Sequence, residues 1–131
     1  MLRDSVVLVV DDEASIRELL RRSLASVGYQ IREAATPVEA CRIFMDEEID
    51  AVVLDVRMPG FSGLQFLEWL RTEAMESAST VPVFILTGYG LTDEEKEMIR
   101  RHHAQVFMKP HGLRELLDQL RGVALSQPTN D

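Results

Sequence analysis

Short apolar runs that stop abruptly at polar residues alternate along this chain with longer stretches whose apolar positions recur at helical spacing. Val6-Val7-Leu8-Val9-Val10 is apolar on both faces and rich in β-branched residues, which predicts a strand covered by helices on both sides, and Asp11-Asp12-Glu13 ends it. From Ser15, the residues Ile16, Leu19, Leu20, Leu24 and Val27 predict a helix that closes at Gly28. Residues 29–34 alternate weakly and predict a second, less buried strand. Thr36-Pro37-Val38-Glu39 then reads as a capping box with proline at the first helical position, opening a helix to about Glu47. Ala51-Val52-Val53-Leu54 runs into Asp55, and Pro59-Gly60 ends the segment, so the Asp55 carboxylate is expected at the mouth of a buried third strand. Ser62-Gly63-Leu64-Gln65 repeats the capping pattern before a helix with Leu64, Leu67 and Leu70 on one face and Phe66 and Trp69 beside it.

Residues 73–80 are small and polar and predict a loop. Residues 81–88 read as a fourth buried strand, with Pro82 near its start and the Thr87 hydroxyl at its end. Thr92-Asp93-Glu94-Glu95 caps a more polar helix carrying Met98 and Ile99, residues 106–110 form a fifth strand ending in Lys109-Pro110, and Leu113, Leu116, Leu117 and Leu120 mark the last helix. Five strands alternating with five helices predict an α/β fold, a parallel sheet with right-handed crossovers and helices on both faces. In open sheets of this kind ligands bind beyond the carboxyl ends of the strands, and Asp11, Asp12, Asp55, Thr87 and Lys109 all fall there.

The 131 residues fit one domain, expected over 1–124, with 125–131 a polar tail or the start of a linker to an absent output domain. Fourteen basic residues against 22 acidic ones leave a net charge of −8, which argues against nucleic-acid binding, since phosphate contacts need clustered Lys and Arg. Cys41 is the single cysteine, so an internal disulfide and a cysteine metal cluster are excluded, and it is expected as a small buried hydrophobe in a helix. With no signal peptide and no apolar run near the ~18 residues of a membrane helix, the chain is expected in the cytoplasm, away from membranes.

Taken singly, each polar strand end has a plain explanation: Asp11, Asp12 or Asp55 as a helix cap, Thr87 as a β-former, Lys109 as a solvated surface residue. Together they do not, because three carboxylates in one pocket repel unless cations sit among them. Lys109 is one such cation, and an oxygen-only donor set suits Mg²⁺ as the other. The arrangement also suits phosphoryl transfer to a carboxylate, with Asp55 as nucleophile and the metal, Lys109 and the Thr87 hydroxyl each holding a phosphoryl oxygen.

From Val6 to about Val123 the chain resembles the receiver domain of bacterial two-component response regulators, on the acidic pair Asp11-Asp12, on Asp55 in LDVRMPGFSG, on Thr87 in FILTGYG and on Lys109-Pro110 in FMKP. The resemblance implies a flavodoxin-like sheet of strand order 2-1-3-4-5. It implies Mg²⁺ or Mn²⁺ held by Asp11, Asp12, Asp55 and the Arg57 backbone carbonyl, and a cis peptide at Lys109-Pro110. It also implies a phosphoryl group taken by Asp55 from a sensor histidine kinase, a histidine phosphotransfer protein or a small phosphodonor. Such a domain promotes its own phosphorylation and dephosphorylation without being an enzyme in the ordinary sense. Its output target is expected on the face of the fourth helix, fifth strand and last helix. Three positions set this chain apart: Val106 stands where most receivers carry Tyr or Phe, and Arg57 and Tyr89 are bulky where the family's hydrolytic water passes, which predicts a long-lived aspartyl phosphate. A phosphorylation-independent interaction module is the alternative. A haloacid-dehalogenase-type hydrolase would want Asp where Arg57 stands, and a flavin module a Gly-, Ser- or Thr-rich first turn where Asp11 and Asp12 stand.

Overall fold

A computed structural model describes residues 5–58, 61–72, 80–88, 90–109 and 112–126. The strands are β1 (Val6–Val10), β2 (Gln30–Ala34), β3 (Ala51–Leu54), β4 (Arg57–Met58), β5 (Phe61–Ser62), β6 (Val83–Thr87) and β7 (Gln105–Met108). The helices are α1 (Ala14–Ala25), α2 (Pro37–Asp46), α3 (Gly63–Thr72), α4 (Asp93–Arg101) and α5 (Gly112–Ser126). Five strands form a parallel sheet in the order β2-β1-β3-β6-β7, which is the expected 2-1-3-4-5 order of the five long strands. The pair β4-β5 forms a separate antiparallel ribbon, Arg57 opposite Ser62 and Met58 opposite Phe61. Two residues per strand are too few for periodicity to reveal.

Strand alternation sorts the core into two layers. Val6, Leu8 and Val10 join Val52, Leu54, Val83 and Ile85 against α2, α3 and α4. Val7 and Val9 join Ala51, Val53, Phe84, Leu86 and Phe107 against Leu20 and Leu24 of α1 and Leu116 and Leu120 of α5. In the first layer Phe44, Phe66 and Trp69 pack as an aromatic cluster, with Phe66 and Trp69 stacked at 5.9 Å. Central strands covered on both faces explain why β1, β3 and β6 are buried at every position, whereas β2 at the sheet edge is buried only at Ala34.

The caps follow the sequence with two differences. Thr36 accepts the Glu39 N–H, and Thr92 and Glu95 form a reciprocal capping box. Ser62 accepts from Leu64, one residue earlier than the pattern implied, because Ser62 is held in β5. Glu13, not an aspartate of the acidic pair, is the N-cap residue of α1, and its side chain makes no capping bond. Gly28 closes α1 with φ of 97°, its N–H bonded to the Ala25 carbonyl and that of Tyr29 to the Leu24 carbonyl; His103 takes the same role after α4 with φ of 56°.

Some positions differ from expectation. Leu19 is 43% exposed, since α1 presents the Leu20-Leu24 stripe to the sheet and Leu19 lies to its side. Cys41 is half-buried, packed beside the first core layer, and burial pushes its thiol up. The fourth and fifth strands are shorter than predicted, so Pro82 precedes β6 and Lys109 lies one residue beyond β7. Helix α5 runs to Ser126. Tyr89, the cis peptide expected at Lys109-Pro110, the break expected at Pro59-Gly60, most of the loop expected over 73–80 and the tail from 127 lie outside the described residues.

Candidate functional site

Sheet register builds the site. Val10 and Leu54 are paired neighbours in β1 and β3, and the Asp55 N–H donates to the Val10 carbonyl at 2.9 Å, so the residues that follow each strand, Asp11 and Asp55, emerge side by side. The Asp11 N–H is tied to Ala34 at 3.0 Å, and the Lys109 N–H to the Thr87 carbonyl at 2.8 Å. These bonds extend the ladder one residue past each strand and fix where the side chains start.

Asp11, Asp12 and Asp55 each offer a carboxylate oxygen within 4.8 Å of the other two, with Asp11 and Asp55 buried and Asp12 at the exposed rim. Lys109 Nζ lies 3.2 Å from Asp11 Oδ2 and 3.8 Å from Asp55 Oδ2, and it also reaches Glu13 Oε1 at 3.3 Å. Thr87 is fully buried at the end of β6.

One lysine does not neutralise this cluster. Burial, then the Asp11 charge, raise the Asp55 carboxyl to about 6 against the opposing pull of Lys109 and of the Arg57 N–H, which donates to Asp55 Oδ1 at 3.1 Å. Burial raises Asp11 as well, although the Glu13 N–H and Lys109 favour its charged form. Burial acts to lower Lys109, but Asp11 and Asp55 outweigh it and hold the ammonium above its usual range. The donors are all hard oxygens at partly paired carboxylates, a set that fits a divalent cation of the Mg²⁺ type and lacks the nitrogen and sulfur ligands of a zinc site.

The structure thus brings together Asp11, Asp12, Asp55 and Lys109, and places Thr87 on the adjoining strand end. Val106 is 39% exposed on β7, and its neighbour Phe107 is buried in the other layer, 6.1 Å from Phe84, so no β7 ring occupies the Val106 position. A model of the response regulator receiver domain matches residues 7–121. The chain belongs to this family.

Response regulator MprA of Mycobacterium sp. (strain KMS) is 36% identical over 117 residues, which cover 89% of this chain and 49% of that protein. MprA of Mycobacterium ulcerans (strain Agy99) is 35% identical over the same length. The chain therefore spans about half the length of the curated relatives it matches. Among solved structures, the chemotaxis protein CheY4 of Vibrio cholerae is 30% identical with a TM-score of 0.78, covering 92% of this chain and 99% of its own. Response regulator TrrA of Thermotoga maritima, solved in complex with Mg(2+)-BeF, is 31% identical with a TM-score of 0.76, covering 91% and 98%. Among the described residues no helix is long and apolar enough to cross a membrane.

Four contributors to this receiver site escaped the sequence reading. Glu13 shares Lys109, and Arg17 reaches back from α1 to the Asp11 carbonyl at 2.7 Å while its Nε meets Glu33 at 3.3 Å. Glu95 holds the Arg57 guanidinium at 2.8 Å. Gly63 opens α3 where any Cβ would fall 2.0 Å from the Asp55 carbonyl oxygen. Only Gly63 carried a signal, since glycine at a helix start is a poor helix former and marks close backbone approach. The contacts that Glu13, Arg17 and Glu95 make around the site are created only by the fold.

Proposed function

We propose that Asp55 is the phosphoacceptor of this receiver domain, with Asp11, Asp12 and the Arg57 backbone carbonyl joining it around Mg²⁺. The observation that carries this reading is the cluster of three carboxylates with Lys109 Nζ set 3.2 Å from one and 3.8 Å from another. An Asp55 carboxylate oxygen forms the new bond to phosphorus as the phosphorus–nitrogen bond of a phosphohistidine breaks, and the imidazole leaves with the electron pair and is protonated. Mg²⁺, when bound, neutralises charge on a phosphoryl oxygen. Lys109 pairs with a second oxygen and the Thr87 hydroxyl donates to a third, so the chain's own task is positioning and charge neutralisation. As the family resemblance implies, the bulky residues Arg57 and Tyr89 slow the decay of the phosphorylated form.

The phosphodonor is a sensor histidine kinase or a histidine phosphotransfer protein, or a small acyl phosphate in vitro, and the domain works in the cytoplasm. Phosphorylation adds about −1.5 to −2 charges at Asp55, and the face of α4, β7 and α5 passes the change to an output target. Incubation with acetyl phosphate and Mg²⁺ should add one phosphoryl mass to the parent and none to Asp55→Asn. No adduct on the parent, or one that persists in Asp55→Asn, removes the reading.

A further inference from the structure

Arg57 touches two parts of the molecule at once. Its backbone N–H donates to Asp55 Oδ1 at 3.1 Å, while its guanidinium donates from one nitrogen to Glu95 Oε1 at 2.8 Å and to the Gly90 carbonyl at 3.1 Å. Glu95 is itself doubly used, because the same Oε1 accepts the Thr92 N–H at 2.9 Å and closes the capping box that starts α4. The chain of contacts from the acid cluster to the first turn of α4 is therefore continuous through two residues. Both side chains are short of full exposure, 40% for Arg57 and 16% for Glu95, and the planar guanidinium holds two acceptors in a fixed geometry.

We propose that the Arg57–Glu95 pair couples the state of Asp55 to the N-terminus of α4, with Glu95 acting as a positioning residue that holds Arg57. This rests on Asp55 being the phosphoacceptor. Phosphorylating an Asp55 oxygen changes the group to which the Arg57 N–H donates, and any resulting movement of the Arg57 peptide is carried at the far end by a guanidinium already fastened to α4. The link matters in this chain because Val106 is a half-exposed aliphatic residue on β7, so no aromatic side chain at that position can report on the pocket. Coupling of this kind is reciprocal: what loading does to the Arg57–Glu95 link, breaking that link must do to loading.

The test compares amide hydrogen exchange of α4 before and after loading with Mg²⁺ and beryllofluoride in the parent, Arg57→Gln, Glu95→Gln, the double variant carrying both, Arg57→Lys and Thr92→Ala. Glu95→Gln keeps an acceptor for the capping box while removing the charge that holds Arg57. The parent should show a change in α4 exchange on loading. Arg57→Gln and Glu95→Gln should each reduce that change and alter the apparent affinity for beryllofluoride by about two- to five-fold, the range of a partly exposed ion pair. The double variant should be no worse than either single one, because both break the same link, and Arg57→Lys should restore part of the response. Thr92→Ala should loosen α4 equally in loaded and unloaded protein. An unchanged α4 response in both Gln variants, or a parent that loads without any change at α4, overturns the proposal. Failure of the parent to load at all overturns the assignment of Asp55 instead.

Discussion

Replacing Asp55 with Asn should stabilise the metal-free protein at pH 7 and have little effect near pH 4. Asp55 is 4% exposed, and burial together with the Asp11 charge raises its carboxyl from 3.8 to about 6. A carboxyl with a raised folded-state value binds its proton more tightly in the folded protein. The group therefore does not weaken the fold below pH ~4, and its penalty grows as pH rises through about 6. At 1.36 kcal/mol per pKa unit the full penalty at pH 7 is about 3 kcal/mol, an upper value because Asp11 is raised too and the pair titrates together. Asn has nearly the same shape and no charge, so urea unfolding in the presence of a chelator should show a midpoint roughly 1–2 M higher for Asp55→Asn at pH 7. The comparison must be of parent with variant at each pH, because Glu95, held below its ordinary value chiefly by the Thr92 N–H, loses stabilising interactions as acid is added. With Mg²⁺ present at about 100 times its dissociation constant, the parent should gain about 2.7 kcal/mol and the gap should narrow. An Asn variant no more stable than the parent at pH 7 without metal, or a gain of equal size at pH 4 and pH 7, would refute the electrostatic account of the cluster.

Lys109→Gln leaves Asp11 and Asp55 without their ammonium partner at 3.2 and 3.8 Å; metal-free stability at pH 7 should fall by up to about 3 kcal/mol and the acetyl phosphate adduct should form more slowly, by denaturation and mass spectrometry respectively. Gly63→Ala forces a methyl against the Asp55 carbonyl, so it should cost at least about 2 kcal/mol in urea unfolding and also reduce adduct yield, whereas a purely helical effect would stabilise α3. Phe107→Ala opens the second core layer beside Phe84, Leu116 and Leu120 and should cost about 3 kcal/mol, while Val106→Ala, one residue away on the exposed side of β7, should cost less than about 1 kcal/mol; similar losses at both would contradict the assignment of faces.

The succession of strands and helices was legible in the sequence because each element repeats a local rule many times: β1 and β3 are apolar at every residue and β6 at every residue before Thr87, and Thr36 and Thr92 announce α2 and α4 three residues before their Glu partners. Asp11, Asp12, Asp55, Thr87 and Lys109 were legible as a set because parallel strands deliver every carboxyl end to one edge, so a polar residue closing each apolar run is already placed relative to the others. The tertiary structure alone decided what those residues meet. The Val10–Leu54 register sets Asp11 beside Asp55, burial raises both carboxyls and the Asp11 charge raises Asp55 further, and Lys109 divides its charge among three acids, one of them a Glu13 that no spacing rule would have chosen. Arg57 and Glu95 are 38 residues apart, and their ion pair exists only once β4 and the first turn of α4 are brought together. Local periodicity depends on neighbours a few residues away and can be read from the chain. Contact between two side chains of distant segments depends on the packing of the intervening elements, and only the folded molecule contains it.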